Sequence, residues 1–184
     1  EDNRMTKNFQ LAEFQRAGFP VDYTIKEFFM LQLLADNLQF IRDEINTPMI
    51  VTNSYRIREK YMEMLRKGYY PSETSDHFFG QRMPVNNPAK IAKYGKWFDL
   101  STGAVDFTCA DIEKNFRKMV QMSMEGEIKI GQLILESNGS TKWIHMSNDP
   151  EMVYGIVLAS KLPVMRQPYL CSLDGGRTYI SYEV

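Results

Sequence analysis

The chain has 184 residues, of which 43% are hydrophobic and 24% charged, with a formal net charge of -1. That length and composition predict one globular domain, residues 1-184, with its own core, and exclude a disordered or fibrous chain. Near-neutral charge without a basic stripe excludes the electrostatic footprint of nucleic-acid binding, so no nucleic-acid partner is expected.

No apolar run approaches the roughly 18 residues of a spanning helix, so no membrane span is expected. The chain opens Glu1-Asp2-Asn3-Arg4-Met5, without a signal-like apolar region, which leaves the compartment open. Cys109 and Cys171 are the only cysteines, and neither stands in a Cys-x-x-Cys arrangement. Two readings remain: a disulfide in an oxidising compartment, or two buried thiols.

Residues Phe9 to Phe14 mix apolar and polar side chains before the breaker Gly18-Phe19-Pro20, and predict an extended or short helical lead-in. From Thr24 the pattern changes. Ile25, Phe28, Leu31, Leu34, Leu38, Ile41 and Ile45 recur at steps of three and four, which predicts an amphipathic helix built into the core. Thr24 caps it, Glu27 completes a capping box, and Asn46-Thr47-Pro48 ends it.

Met49 to Thr52 predicts a short strand, and Arg58 to Lys67 a surface helix closed by Gly68. Tyr69-Tyr70-Pro71 turns the chain. Gln81 to Gly103 is broken by Pro84, Asn86, Asn87, Pro88 and Gly95, with one helical turn over Ala89 to Tyr94. Ala104 to Cys109 reads as a strand, and Asp111 opens a helix with Ile112, Phe116, Met119 and Val120 on one face. Met119, Met122 and Met124 are expected to fill core.

Ile128 to Glu136 and Thr141 to Met146 flank Ser137-Asn138-Gly139-Ser140, the strongest hairpin signal in the chain. A second hairpin is expected between Leu170-Leu173 and Arg177-Ile180, around Asp174-Gly175-Gly176. Helices and strands mix without regular alternation, so the expected class is α+β with a mainly antiparallel sheet packed with helices.

The chemistry-bearing residues gather between Ser75 and His145. The chain's two histidines, His77 and His145, and the carboxylate of Asp106 lie on separate segments. Two imidazoles, one carboxylate and a water make an open tetrahedral zinc site, in which the water becomes a nucleophile. The residues taken alone fit equally well two hydrogen-bonded core histidines and a solvent-facing aspartate.

Ser75-x-His77-x-x-Gly80, then Ala104-x-Asp106, then Trp143-Ile144-His145-x-Ser147, resemble the motifs of the zinc D-Ala-D-Ala peptidases. That family includes VanX-like dipeptidases, phage L-Ala-D-Glu endopeptidases and the Hedgehog fold. Ser54-Tyr55-Arg56 is similar to its Ser-Gly-Tyr-Arg piece, and the resemblance runs from Thr24 to Ser147. It implies a Hedgehog/D-Ala-D-Ala-peptidase-like fold with Zn2+ on His77, Asp106 and His145. It further implies that Arg56 meets the peptide's carboxylate or carbonyl, Ser75 supports the site by hydrogen bonding, and Trp143 packs beside the third ligand. The implied substrates are peptidoglycan stem or cross-link peptides, and the implied settings are extracellular, periplasmic or virion-associated, with phage virion or lysis partners.

Two departures accompany the resemblance. His77 and Asp106 stand 29 positions apart (77 to 106), far more than in the family, so residues 81-103 are read as an insertion, with Asp99 inside it as the rival ligand. Lys142 occupies the position where many relatives carry the acid, three residues before the last histidine. Relatives ending in Trp-x-His carry a glutamate on the preceding strand instead, which here is Glu136. Opposite Thr141, Glu136 would stand about 13 Å along the strand from His145; opposite Trp143, about 7 Å. Those departures also leave open a second expectation, a catalytically inactive structural or binding module of the same fold, such as a virion component.

Overall fold

The computed structural model describes residues 4–15, 22–68, 71–155 and 169–182. The chain is α+β. In order, its elements are α1 (Leu11–Phe14), α2 (Ile25–Ile45), β1 (Met49–Asn53), α3 (Arg58–Arg66), a 3-10 turn (Asp76–Phe78), β2 (Met83–Pro84), α4 (Pro88–Tyr94) and β3 (Trp97–Phe98). Then follow β4 (Ala104–Cys109), α5 (Ile112–Met124), β5 (Ile130–Asn138), β6 (Thr141–Asn148), α6 (Pro150–Tyr154), β7 (Tyr169–Ser172) and β8 (Ile180–Ser181). Six strands form one sheet in the order β1-β4-β6-β5-β7-β8. Its pairs are antiparallel except β5 with β7, which run parallel.

Helix α2 begins where the capping box predicts. The Thr24 hydroxyl accepts from the Glu27 amide, and the Glu27 carboxylate accepts from the Thr24 amide. Glu27 is buried, and the hydroxyl of Tyr55 also donates to it at 2.9 Å, tying the start of the helix to the chain leaving β1. Asn46 ends the helix in the left-handed conformation, with φ 49°. The buried stripe is Met30, Leu31, Leu34, Ala35, Leu38 and Ile41. Ile25 and Phe28 were expected in that stripe and are exposed; the side of the first turn that faces the protein is taken by Glu27, the partner of Tyr55. On α5, Phe116, Met119, Val120 and Met122 are buried as expected, whereas Met124 is 61% exposed at the end of the helix.

The two faces of the sheet have different work. Val105 and Phe107 on β4, Leu133 on β5, and Ile144 and Met146 on β6 point to one face and pack with α2 and α5 in one apolar core. Phe9 and Phe14 from the lead-in join that core. Each fully buried Leu, Ile or Phe side chain there stabilises the fold by roughly 1.5–3 kcal/mol. The alternate residues, Asp106 on β4, Glu136 on β5, and Trp143 and His145 on β6, point to the other face, as the period-two geometry of a strand demands.

Residues 81-103 form a closed excursion. Its ends pair as β2 and β3, Met83 opposite Phe98 and Pro84 opposite Trp97, with α4 between them. Tyr61, Phe78 and Met83 make a small apolar cluster beneath it. Its base is fastened to the 3-10 turn. The Thr102 amide donates to the Asp76 carboxylate at 3.0 Å, the Gly103 amide to the Asp76 carbonyl at 3.1 Å, and the Gly80 amide to the Ser101 hydroxyl at 2.6 Å. Gly103 has φ +87°, and a Cβ there would meet Phe79 at 2.9 Å, so this closure requires glycine.

At the C-terminal end, β7 and β8 pair antiparallel, Leu170 with Ser181 and Cys171 with Ile180. Arg177, Thr178 and Tyr179 were expected on the second strand and instead form the connecting loop. The Asp174 carboxylate dictates this: it accepts from the Arg177 and Thr178 amides and from the Ser172 hydroxyl, a local bond set that competes with strand pairing. Cys109 and Cys171 are both free. They sit on β4 and β7, three strand spacings or roughly 14 Å apart, beyond the reach of a disulfide. Among the described residues no helix is long and apolar enough to cross a membrane. The expected breaks at Gly18-Phe19-Pro20 and Tyr69-Tyr70 lie outside the described residues.

Candidate metal centre

Three elements bring His77, Asp106 and His145 together. Asp106 and His145 are directly cross-strand on β4 and β6, and His77 reaches them from the 3-10 turn. His145 Nδ1 lies 2.9 Å from Asp106 Oδ1, and His77 Nε2 lies 3.2 Å from the same oxygen. One ligand atom from each residue falls within 4.8 Å of the other two. The side chains are 5%, 14% and 12% exposed for His77, Asp106 and His145, so each keeps one edge open to a groove.

His77 is fixed on every side. Its amide bonds the Ser75 hydroxyl, which caps the turn, and its carbonyl accepts from the Arg56 amide at 2.9 Å. Its ring Nδ1 lies 2.8 Å from the Ser54 carbonyl. A carbonyl only accepts, so Nδ1 carries the hydrogen and Nε2 is the atom turned toward Asp106. A neutral imidazole would then present a lone pair to a carboxylate oxygen. That arrangement is repulsive unless a cation or a proton lies between them, and it is the orientation in which histidines ligate metals.

Asp106 has its own support. Asn53 donates from its side-chain amide to Oδ2 at 3.0 Å, leaving Oδ1 for the histidines. A bulge makes this possible: the β1–β4 register shifts between Val51 and Asn53, so that Asn53 rather than Thr52 stands opposite Asp106. Burial by itself would raise the Asp106 carboxyl's pKa, but the charges and hydrogen bonds of His77 and His145 hold it well below the usual carboxylate range. Burial pulls His145 down, and Asp106, with Glu136 and Asp76 beyond, more than reverses this, so His145 is raised above an ordinary imidazole.

Two nitrogens and one carboxylate oxygen with an open side are the donor set of an open zinc centre. The group can hold a metal ion. Asp99, the rival ligand, stands apart: it is exposed on the excursion, where its carbonyl accepts from Tyr154.

Glu136 stands opposite Trp143, the register that places it two residues, or about 7 Å, along the sheet from the His145 pair. Only 7% of it is exposed, and the Trp143 indole N–H donates to Oε2. Lys142 points to the other face of β6 and pairs with Glu113 on α5. On this strand the position three residues before His145 lies on the opposite face, so Lys142 has no part in this site.

One residue at the site carries no mark in the sequence. The hydroxyl of Tyr179 donates to Glu136 Oε1 at 3.1 Å. Burial, reinforced by the charge of Glu136, pushes that hydroxyl's pKa up and keeps it a donor. Gly176 makes room: it sits at φ +82°, and a Cβ there would fall 2.7 Å from the Tyr179 oxygen and 3.1 Å from Glu136 Oε1. The double glycine of Gly175-Gly176 was the only available hint, and it reads as a turn.

A groove of about 1450 Å³ lies over the group, reached by Arg56, Lys90 and Tyr94 on one side and by Asp174, Arg177 and Tyr179 on the other. The Arg56 guanidinium lies 5.9 Å from the centre of the Phe78 ring. Comparison with protein-family models, with curated proteins and with solved structures gives no match to this chain.

Proposed function

We propose that this protein is a zinc-dependent peptidase that hydrolyses peptide bonds in peptidoglycan stem or cross-link peptides. The observation that carries the reading is the convergence of His77, Asp106 and His145 across the 29-position gap, at the floor of a groove that also holds Glu136 and Arg56. The motif resemblance supplies the reaction and the substrate class. The finer fold reading, a Hedgehog/D-Ala-D-Ala-peptidase-like form of this α+β architecture, belongs to the same proposal. So does the setting, outside the cell membrane or on a virion, where such substrates are met.

A zinc ion held there would supply Lewis acidity and a bound water whose pKa is lowered toward neutrality. The chain's residues would do the rest. Glu136 takes up a proton at its carboxylate and returns it to the leaving amine, while Trp143 and Tyr179 fix its two oxygens. Arg56 offers its planar donor fork to a substrate carbonyl or carboxylate. Asn53 and Ser54 hold Asp106 and His77 in orientation.

The deciding experiment is metal analysis of the purified protein beside His77→Ala and Asp106→Ala, followed by peptidoglycan digestion with wild type and Glu136→Gln. One zinc per chain, lost in both ligand variants, with wall hydrolysis that Glu136→Gln abolishes, supports the reading. Zinc without hydrolysis would leave the inactive binding module of the same fold. No zinc after reconstitution overturns the peptidase reading and leaves a metal-free structural or binding module.

A further inference from the structure

The groove's dimensions bear on which bond is cut. Its lining side chains come from Thr52 on β1, Asp106 on β4, His145 on β6, Glu136 on β5 and Leu170 on β7. Five adjacent strands at about 4.8 Å spacing make a floor roughly 19 Å wide, running across the strands. An extended peptide advances about 3.3 Å per residue, so the floor matches roughly six residues. A cleft of about 1450 Å³ also exceeds the roughly 300–1,000 Å³ typical of small-molecule pockets.

The metal group does not lie at an end of this floor. It sits over β4 and β6, with β1 on one side and β5 and β7 on the other. Both directions away from it are walled. Toward β1, the closed excursion contributes Lys90 and Tyr94 from α4, and Lys90 is braced by donating to the Ser72 hydroxyl at 2.8 Å. Toward β7, the Asp174 loop contributes Arg177 and Tyr179. This loop is pinned to the β5–β6 hairpin by the Gly175 amide, which donates to the Ser137 carbonyl at 2.8 Å.

Charge follows the same plan. The middle of the groove carries Asp76, Asp106 and Glu136, while Arg56 and Lys90 stand toward one end and Arg177 toward the other. Asp174 makes no ion pair with the Arg177 side chain; its carboxylate bonds Ser172, Thr178 and the loop amides. A site for removing one terminal residue needs a closed wall and a carboxylate anchor on one side only. This groove has cations on both sides of the metal group, and its floor continues past that group in both directions before it meets those walls.

We infer that the groove binds an extended peptide lying across the strands, with several residues on each side of the metal centre and carboxylates on both arms. The reaction is therefore internal cleavage, as in a cross-linked peptide dimer, and not the trimming of a terminal residue. This rests on the peptidase reading above.

The test uses the zinc-loaded full chain with two synthetic probes: a cross-linked stem-peptide dimer, and the single stem ending in D-Ala-D-Ala. Products are identified by mass spectrometry, and binding is measured by calorimetry on Glu136→Gln. Internal cleavage of the dimer is expected with kcat/KM at least tenfold above removal of the terminal residue. Lys90→Ala and Arg177→Ala, on opposite walls, should each raise KM for the dimer about tenfold while circular dichroism shows an intact fold. Removal of the terminal residue alone, or a dimer KM unmoved by both variants, overturns the inference and leaves the peptidase reading standing. Zinc-loaded protein that neither binds nor cuts either probe overturns the peptidase reading and the inference with it.

Discussion

Glu136 and Trp143 face each other across the β5–β6 hairpin, and the indole N–H of Trp143 donates to the Glu136 carboxylate. This one pairing sets the site. The two-residue turn at Gly139-Ser140 joins Asn138 to Thr141, and from there every second residue of both strands turns to the groove face. His145 follows Trp143 on that face, and Asp106 lies opposite His145 on the next strand. A register shifted by one residue would have sent all of them into the core in place of Ile144 and Met146.

Trp143→Phe tests what the indole hydrogen contributes. It keeps an aromatic ring and removes the donor to a carboxylate that is 7% exposed. A hydrogen bond to a charged group is worth roughly 1.5–3 kcal/mol, so chemical denaturation should show a loss in that range. Metal content should stay at the wild-type value, since the indole N–H bonds Glu136 and none of the three candidate ligands. A variant that unfolds at the wild-type denaturant concentration would show that Glu136 has no need of this donor.

Much of this arrangement is legible in the residues themselves, and the failures have physical causes. Thr24 and Glu27 announce the start of α2, Asn138-Gly139 announces the hairpin, and the period of Ala104 to Cys109 gives β4 to the residue. These signals are local. The register opposite Glu136 was narrowed to two choices, because turn chemistry limits loop length without fixing it. The closure of the excursion was illegible: β2 and β3 have two residues each, too few for any periodicity, and the base beyond them is fastened through the buried carboxylate of Asp76 to the Thr102 amide. Tyr179 was illegible for another reason. It meets Glu136 across 43 residues through a parallel pairing of β5 with β7, and no local pattern reports a contact of that range.

Asn53→Ala tests the support of Asp106. The substitution removes the donor to Oδ2 and leaves the three candidate ligands untouched. Loss of such an outer partner typically lowers metal affinity 10- to 100-fold. Competition with a chromophoric chelator should show a drop of about that size, with an unchanged far-ultraviolet spectrum. Wild-type affinity would mean that Oδ1 is oriented by the strand pairing alone.

The pH dependence of stability should distinguish the metal-free from the metal-bound chain. Without metal, Asp106 titrates below its ordinary 3.8, so its contribution is present above 3.8 and is lost as pH falls through the lowered value. His145 titrates above its ordinary 6.5, so its contribution is present below 6.5 and is lost as pH rises through the raised value. The pair therefore stabilises the metal-free chain most between about pH 3.8 and 6.5. Zinc requires neutral histidines, so adding it should remove the alkaline decline and make acidification release the metal. Denaturation midpoints from pH 3 to 9, with and without zinc, measure both limbs. A metal-free chain that gains stability from pH 6.5 to 8 would contradict the His145–Asp106 pairing.

Gly176→Ala and Gly175→Ala form a matched pair that isolates the approach of Tyr179 to Glu136. Both glycines have positive φ, +70° at Gly175 and +82° at Gly176, so both substitutions carry the left-handed strain of roughly 1–2 kcal/mol. At Gly175 the nearest atom to a new Cβ is 3.6 Å away, an ordinary contact. At Gly176 the new Cβ would lie 2.7 Å from the Tyr179 hydroxyl, which must leave Glu136 to make room. Gly176→Ala should thus lose more stability than Gly175→Ala, and adding Tyr179→Phe should cost little beyond Gly176→Ala alone, since both remove the same bond. Additive losses in the double variant would show that the tyrosine hydroxyl and the Gly176 backbone act independently.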